Sequence, residues 1–339
     1  MGRLFKRLLL LFGLLALLAG GVAALFWNQY QQFLARPLEL PEGGLVLEVP
    51  PGQSLAQLAN ELESRGIITD ARLLRFHVRL NKEAGAIKAG EYRLEPGITP
   101  GQLLALLVSG KTLTHSITFP EGWTFRQWRN SIARHPALVH TIDELSDEAV
   151  MERIGQPGVH PEGRFFPDTY LFPRGFSDVQ LLKRAWKRME TELAAAWKER
   201  DEGLPLKTPY EALILASIIE KETGVAGERR KIAGVFLRRL KRGMKLQTDP
   251  TVIYGMGEAY KGNIRRKDLK KDTPYNTYVH AGLPPTPICM PGRESLRAAV
   301  HPAEGKALYF VARGDGSHHF SATLREHNRA VRKYQLKRK

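Results

Sequence analysis

The chain has 339 residues, 43% hydrophobic and 25% charged, which is enough for a membrane segment plus about two domains with cores of their own. Its formal charge of +16 implies an anionic neighbour, either lipid head groups, an acidic wall polymer or nucleic acid. Cys289, the single cysteine, has no partner for an intrachain disulfide and reads as a packed residue.

The first elements choose among those neighbours. Residues 1–7 carry Arg3, Lys6 and Arg7 and read as a cytoplasmic tail. Residues 8–27 are uncharged, and twenty residues rising about 1.5 Å each span a hydrocarbon core of roughly 30 Å. The basic flank lies before this run, so the rule of positive loops inside predicts a single-pass helix in the cytoplasmic (inner) membrane with everything after Trp27 exported. A cleaved signal peptide is the rival, but its apolar stretch is usually shorter. Export argues against nucleic acid as the partner.

Residues 28–44 read as a stalk, interrupted by Pro37 and Pro41. Beyond it one pattern recurs three times, around Gly52, Gly97 and Gly122. Each copy is a strand end, a glycine turn, a Ser or Thr cap (Ser54, Thr99, Thr124) and a helix with Gln three residues on. That Ser/Thr-x-x-Gln spacing is a capping box, so the repeat has a local physical cause. Residues 45–115 alternate strands and helices and resemble the LysM glycan-binding fold. Residues 116–339 read as longer helices broken by Pro-rich loops, with an amphipathic helix at 181–199, a hairpin at 307–322 and a closing basic helix. Together these predict an α+β protein.

The stretch with most chemical content is Tyr210 to Gly224. Residues 212–219 are apolar on every side, which predicts a buried helix that Gly224 stops. A glutamate at its inner end would be desolvated and held protonated, as a general acid must be. Helical spacing does not choose between Glu220 and Glu222, and an ordinary helix end paired to Lys221, Arg229 or Arg230 is the bland alternative. His318, His319 and His327 lie close in sequence, but neighbours on a strand face opposite ways and their spacing fits no zinc pattern, so no metal is expected.

Several segments in order complete the picture: Glu162 to Tyr170, Ala216 to Thr223, Leu246 to Gly255, Tyr275 to Tyr278, Gly282 to Pro285, Pro291 to Pro302, and Tyr309 to Asn328. This ordered set resembles the YceG-like family of endolytic murein transglycosylases. The resemblance implies a mixed α+β catalytic domain and a lytic transglycosylase, a carbon–oxygen lyase acting on polysaccharides. It implies cleavage of the MurNAc–GlcNAc β-1,4 bond of nascent peptidoglycan, with 1,6-anhydro ends formed and strand elongation terminated. The first glutamate of the Glu-Lys-Glu-Thr element, Glu220, is implied as acid and then base, with no cofactor or metal. Peptidoglycan synthases (penicillin-binding proteins) are the implied partners. Gln247, Asp249 and Asn276 would contact sugar hydroxyls and acetamides, and Tyr254, Tyr275 and Phe166 would stack on sugar rings. Glu162 and Asp168 are the candidates for a second carboxylate, although Asp168 is equally a turn cap. A non-catalytic wall-binding protein on the same fold is the alternative class. An acyl enzyme of the penicillin-binding type is remote, because no Ser-x-x-Lys stands with its partner motifs.

Overall fold

The computed structural model describes residues 2–81, 87–222 and 224–336. Met1, 82–86, Thr223 of the Glu-Lys-Glu-Thr element and 337–339 lie outside that set. The architecture is mixed α+β: long and short helices with four two-stranded sheets among the described residues. The chain divides into two compact units, Met1–His115 with Phe172–Gly175, and Ser116–Leu171 with Phe176–Lys339.

In the first unit one helix runs from Gly2 to Ala35, longer than the uncharged run and stopped just before Pro37. It is the one described helix long and apolar enough to cross a membrane. Past Trp27 the same helix packs inward. Tyr30, Phe33 and Leu38 are buried in the unit's core, so the residues expected as a stalk are part of a packed structure. Leu45–Val49 pairs antiparallel with Gly90–Leu94, Leu47 opposite Tyr92, and both side chains are fully buried. Three helices, Leu55–Ser64, Ala71–Leu80 and Pro100–Ser109, cover that pair.

The capping boxes form as the spacing predicts. The hydroxyls of Ser54, Thr99 and Thr124 accept from the backbone of Gln57, Gln102 and Gln127, and each glutamine side chain returns the bond. Such a cap contributes about 1 kcal/mol to its helix.

In the second unit the helix Pro209–Glu222 lies at the centre of the core, with Ala212 to Ile219 all buried. Its main neighbour is Arg293–Val300, flanked by Asp178–Lys198 and Arg229–Lys241. Each fully buried Leu or Ile is worth about 1.5–3 kcal/mol, so the helix is held rigidly along its length. Ser217, the one polar residue in that run, donates to the carbonyl of Ile214 and accepts from the backbone N–H of Ile288 at 3.0 Å. The thiol of Cys289 is buried against the carbonyl of Ser217, which fits the packed role expected of it. The predicted hairpin forms between Tyr309–Ala312 and His318–Ser321, and the basic helix follows at Leu324–Val331.

Candidate active site

The central helix ends in Glu220-Lys221-Glu222. Positions i and i+2 of a helix are about 200° apart, so the carboxylates of Glu220 and Glu222 leave on opposite sides and enter different environments.

Glu220 turns to a closed polar cluster. Its Oε2 accepts from the backbone N–H of Gly292 at 3.0 Å, and its Oε1 is 3.7 Å from the guanidinium of Arg229. The carboxyl of Glu121 lies over the same glycine: a Cβ built on Gly292 would sit 1.8 Å from Glu121 Oε1. Burial, then the neighbouring charge of Glu220, raises the proton affinity of Glu121 above the usual carboxylate range. The loop that carries Glu121 is tied down by Lys221 Nζ to the carbonyl of Gly122 and by two backbone bonds, Gly122 N–H to Met290 O and Met290 N–H to Trp123 O.

Glu222 turns the other way, into a cavity of about 520 Å³. Arg239, Gln247, Asp249, Tyr278 and His318 share its wall with the carboxyl. Thr248 donates its hydroxyl to Glu222 Oε1, and among the described residues no hydrogen bond occupies Oε2. Desolvation raises the carboxyl to about 7, against the opposing effect of the Thr248 bond. A carboxylic acid at that value is half protonated at neutral pH and can give a proton to a bound oxygen.

Of the residues expected to bind sugar, Gln247 and Asp249 line this cavity. Gln247 is the one non-glycine described residue with a left-handed backbone, at φ 50°, a conformation seldom adopted unless its surroundings impose it. Its N–H bonds the carbonyl of Thr277 at 3.1 Å, and its side-chain oxygen faces Arg239 Nη1 at 3.5 Å. Asp249 Oδ1 accepts from the hydroxyl of Tyr278 at 2.6 Å.

The other expected residues are engaged elsewhere. Asn276 is 1% exposed; its amide donates to the carbonyls of Asp268 and Lys271 and its oxygen accepts from the N–H of Tyr278. It brackets the 268–278 loop from inside and carries Tyr278 to the cavity. Tyr254 and Tyr275 stack edge to face at 4.8 Å, their hydroxyls on Glu162 and Thr286. Phe166 is buried in the core, and Asp168 caps its own turn through the N–H of Thr169.

Glu162 is also interior, 4% exposed, and accepts from the N–H of Phe125 and the hydroxyl of Tyr254. Its burial raises it from 4.5 to about 7. An acid raised on folding binds its proton more tightly in the folded chain, so its cost appears as pH rises from about 4.5 to about 7 and then stays constant. The span corresponds to about 3 kcal/mol. Thermal unfolding across that range is therefore expected to show wild-type stability falling with pH, with a visibly flatter slope in Glu162→Gln.

One grouping with metal-ligand spacing is present among the described residues: His140, Asp143 and Asp178. Asp178 already accepts from the N–H groups of Thr141, Ile142 and Val179 and the hydroxyl of Thr141, which makes it a cap. His318 and His319 face different ways, as strand neighbours must, His318 toward Glu228 and His319 toward Tyr334.

The central helix thus carries a raised carboxyl to the wall of a polar cavity. Comparison with known proteins then places the chain: residues 47–333 match the YceG-like family, and the chain belongs to that family. It is 33% identical over 323 residues to an endolytic murein transglycosylase of Bacillus subtilis, covering 90% of this chain and 89% of that protein. A protein of the same name from Streptococcus pneumoniae is 25% identical over 360 residues, 94% of this chain but 63% of that longer relative. Among solved structures, a yceG-like protein from Listeria monocytogenes superposes with a TM-score of 0.53 at 32% identity, over 85% of this chain and 99% of that one.

Proposed function

We propose that this protein is an endolytic lytic transglycosylase of peptidoglycan, and that Glu222 rather than Glu220 is its acid. The activity class follows the name borne by its relatives. The observation that carries the residue is the raised carboxyl of Glu222, one oxygen of which no described residue hydrogen-bonds, at the wall of a cavity of about 520 Å³. Glu222 Oε2 gives its proton to the glycosidic oxygen of a MurNAc–GlcNAc β-1,4 bond while Thr248 holds Oε1. The 6-hydroxyl of the muramic residue then closes a 1,6-anhydro ring. No second carboxylate is needed as nucleophile, in contrast to a retaining hydrolase. Gln247 and Asp249 supply polar contacts to the strand, and the carboxyl is protonated again at the end of the cycle.

In this reading residues 8–27 anchor the chain as a single pass in the cytoplasmic membrane, with both units outside. Residues 45–115 act as a LysM-like glycan-holding unit, 116–339 cut, and peptidoglycan synthases feed the strand. Glu220 as the acid is the second reading, favoured by the adjoining carboxyl of Glu121. Digestion of purified sacculi by wild type, Glu222→Gln and Glu220→Gln separates the two. Fragments released by Glu222→Gln but not by Glu220→Gln would move the role to Glu220. Glycan retained by all three proteins without any release would make the protein a binder.

A further inference from the structure

We propose that His318, held by Glu228, is a second catalytic residue of the Glu222 cavity and takes the proton of the sugar hydroxyl that closes the ring. The inference rests on the reading of that cavity as the cleavage site.

His318 lines the same cavity as Glu222, yet it comes from the hairpin strand His318–Ser321. Its orientation is fixed on several sides. Nδ1 lies 2.7 Å from Glu228 Oε2, and its own backbone N–H donates to both oxygens of that carboxylate at 3.0 and 3.2 Å. Its ring stands edge-on to Phe310 at 5.3 Å. Glu228 is itself buried, at the end of the short turn Ala226–Glu228 that follows the central helix. A buried carboxylate on Nδ1 selects the tautomer in which Nδ1 carries hydrogen and Nε2 presents its lone pair. Among the described residues no hydrogen bond occupies Nε2. Two proton-handling groups of different kinds, the Glu222 carboxyl and the His318 imidazole, thus share one cavity wall. Arg239, Asp249, Tyr278, Tyr309 and His327 are the other charged or titratable side chains on its wall.

The step balances without an outside reagent. The Glu222 proton goes to the glycosidic oxygen, the bond from C1 to that oxygen breaks, and its electron pair leaves as the new 4-hydroxyl. The 6-oxygen bonds to C1 and its proton goes to His318 Nε2. The imidazolium then returns that proton to the Glu222 carboxylate, directly or through water in the cavity, and the site is reset.

The test uses the full chain in detergent with polymerised lipid II as substrate, comparing Glu222→Gln, His318→Gln, His318→Ala and Glu228→Gln. His318→Gln is expected to lower turnover about 100-fold or more, in the range of proton-transfer groups, with Tm and glycan binding retained. Exogenous imidazole is expected to restore part of the His318→Ala activity by occupying the space vacated, a response that a merely structural residue would not give. Glu228→Gln should fall between these and wild type. Activity within threefold of wild type in His318→Gln, beside an inactive Glu222→Gln, would overturn the assignment of His318 alone. So would loss in both His318 variants that imidazole leaves unchanged and that follows loss of glycan binding. Full activity in Glu222→Gln would overturn the reading of the cavity and His318 with it.

Discussion

Glu222→Gln is expected to lower glycan cleavage by about 10²–10⁴-fold with no loss of thermal stability. Gln keeps an oxygen for the Thr248 hydroxyl and occupies the same volume, so the helix end should not move. It removes the acidic proton and, with it, a carboxyl whose ionisation the folded chain opposes. Wild-type turnover should accordingly decline as pH rises through about 7, where the donor form of Glu222 is lost. Glu220→Gln should behave differently. It retains an acceptor for the Gly292 N–H but removes the carboxylate paired with Arg229 at 3.7 Å, a loss of about 1–3 kcal/mol in urea unfolding, with cleavage reduced about tenfold or less.

The second large effect is expected at Arg239, whose guanidinium ties the walls of the cavity together. It donates to the carbonyls of Leu308 at 2.7 Å, Leu246 at 2.8 Å and Lys245 at 3.2 Å, and lies against the ring of Tyr309. Its side chain is almost wholly buried, so those carbonyls have no water to turn to. Lysine carries a compact ammonium that cannot reproduce the planar fork. Arg239→Lys is therefore expected to cost about 2–4 kcal/mol, by calorimetry or urea unfolding. It should also reduce cleavage at temperatures where the chain is still folded, because Leu246 and Gln247 lose the support that holds Gln247 in its left-handed conformation.

What could be read in the sequence was what nearby residues determine. The caps at Ser54, Thr99 and Thr124 depend on spacings of three residues, and they formed as expected. The buried helix was legible because eight residues in a row with Ser217 as the sole polar one leave no face for water. That same uniformity hid the choice between Glu220 and Glu222: a helix without a polar stripe gives no direction from which to judge its end. The choice depends on what packs beyond the helix, and those groups come from far along the chain. Gly292 and Glu121 close over Glu220, while Thr248 and the hairpin surround Glu222. Asn276 shows the same limit in reverse. Its amide suits a sugar, but three bonds to its own loop use it completely, and only the fold reveals that they are made. The Glu228–His318 pair spans 90 residues and has no local signature.

A helix long and apolar enough to cross a membrane was legible from length and composition alone. Its continuation into the core of the first unit was not, because Tyr30 and Phe33 look like ordinary helix residues until Ala71–Leu80 is placed beside them. Phe76 on that helix meets both Phe26 and Tyr30 edge to face, at 5.1 and 5.2 Å.

The most direct test of the account is mass analysis of the ends made when the wild-type chain cuts uncrosslinked glycan strands in water enriched in heavy oxygen. A non-hydrolytic cut by Glu222 predicts muramic ends one water lighter than reducing ends, carrying no label, and absent from the Glu222→Gln digest. Labelled reducing ends, or anhydro ends formed equally well by Glu222→Gln, would contradict it.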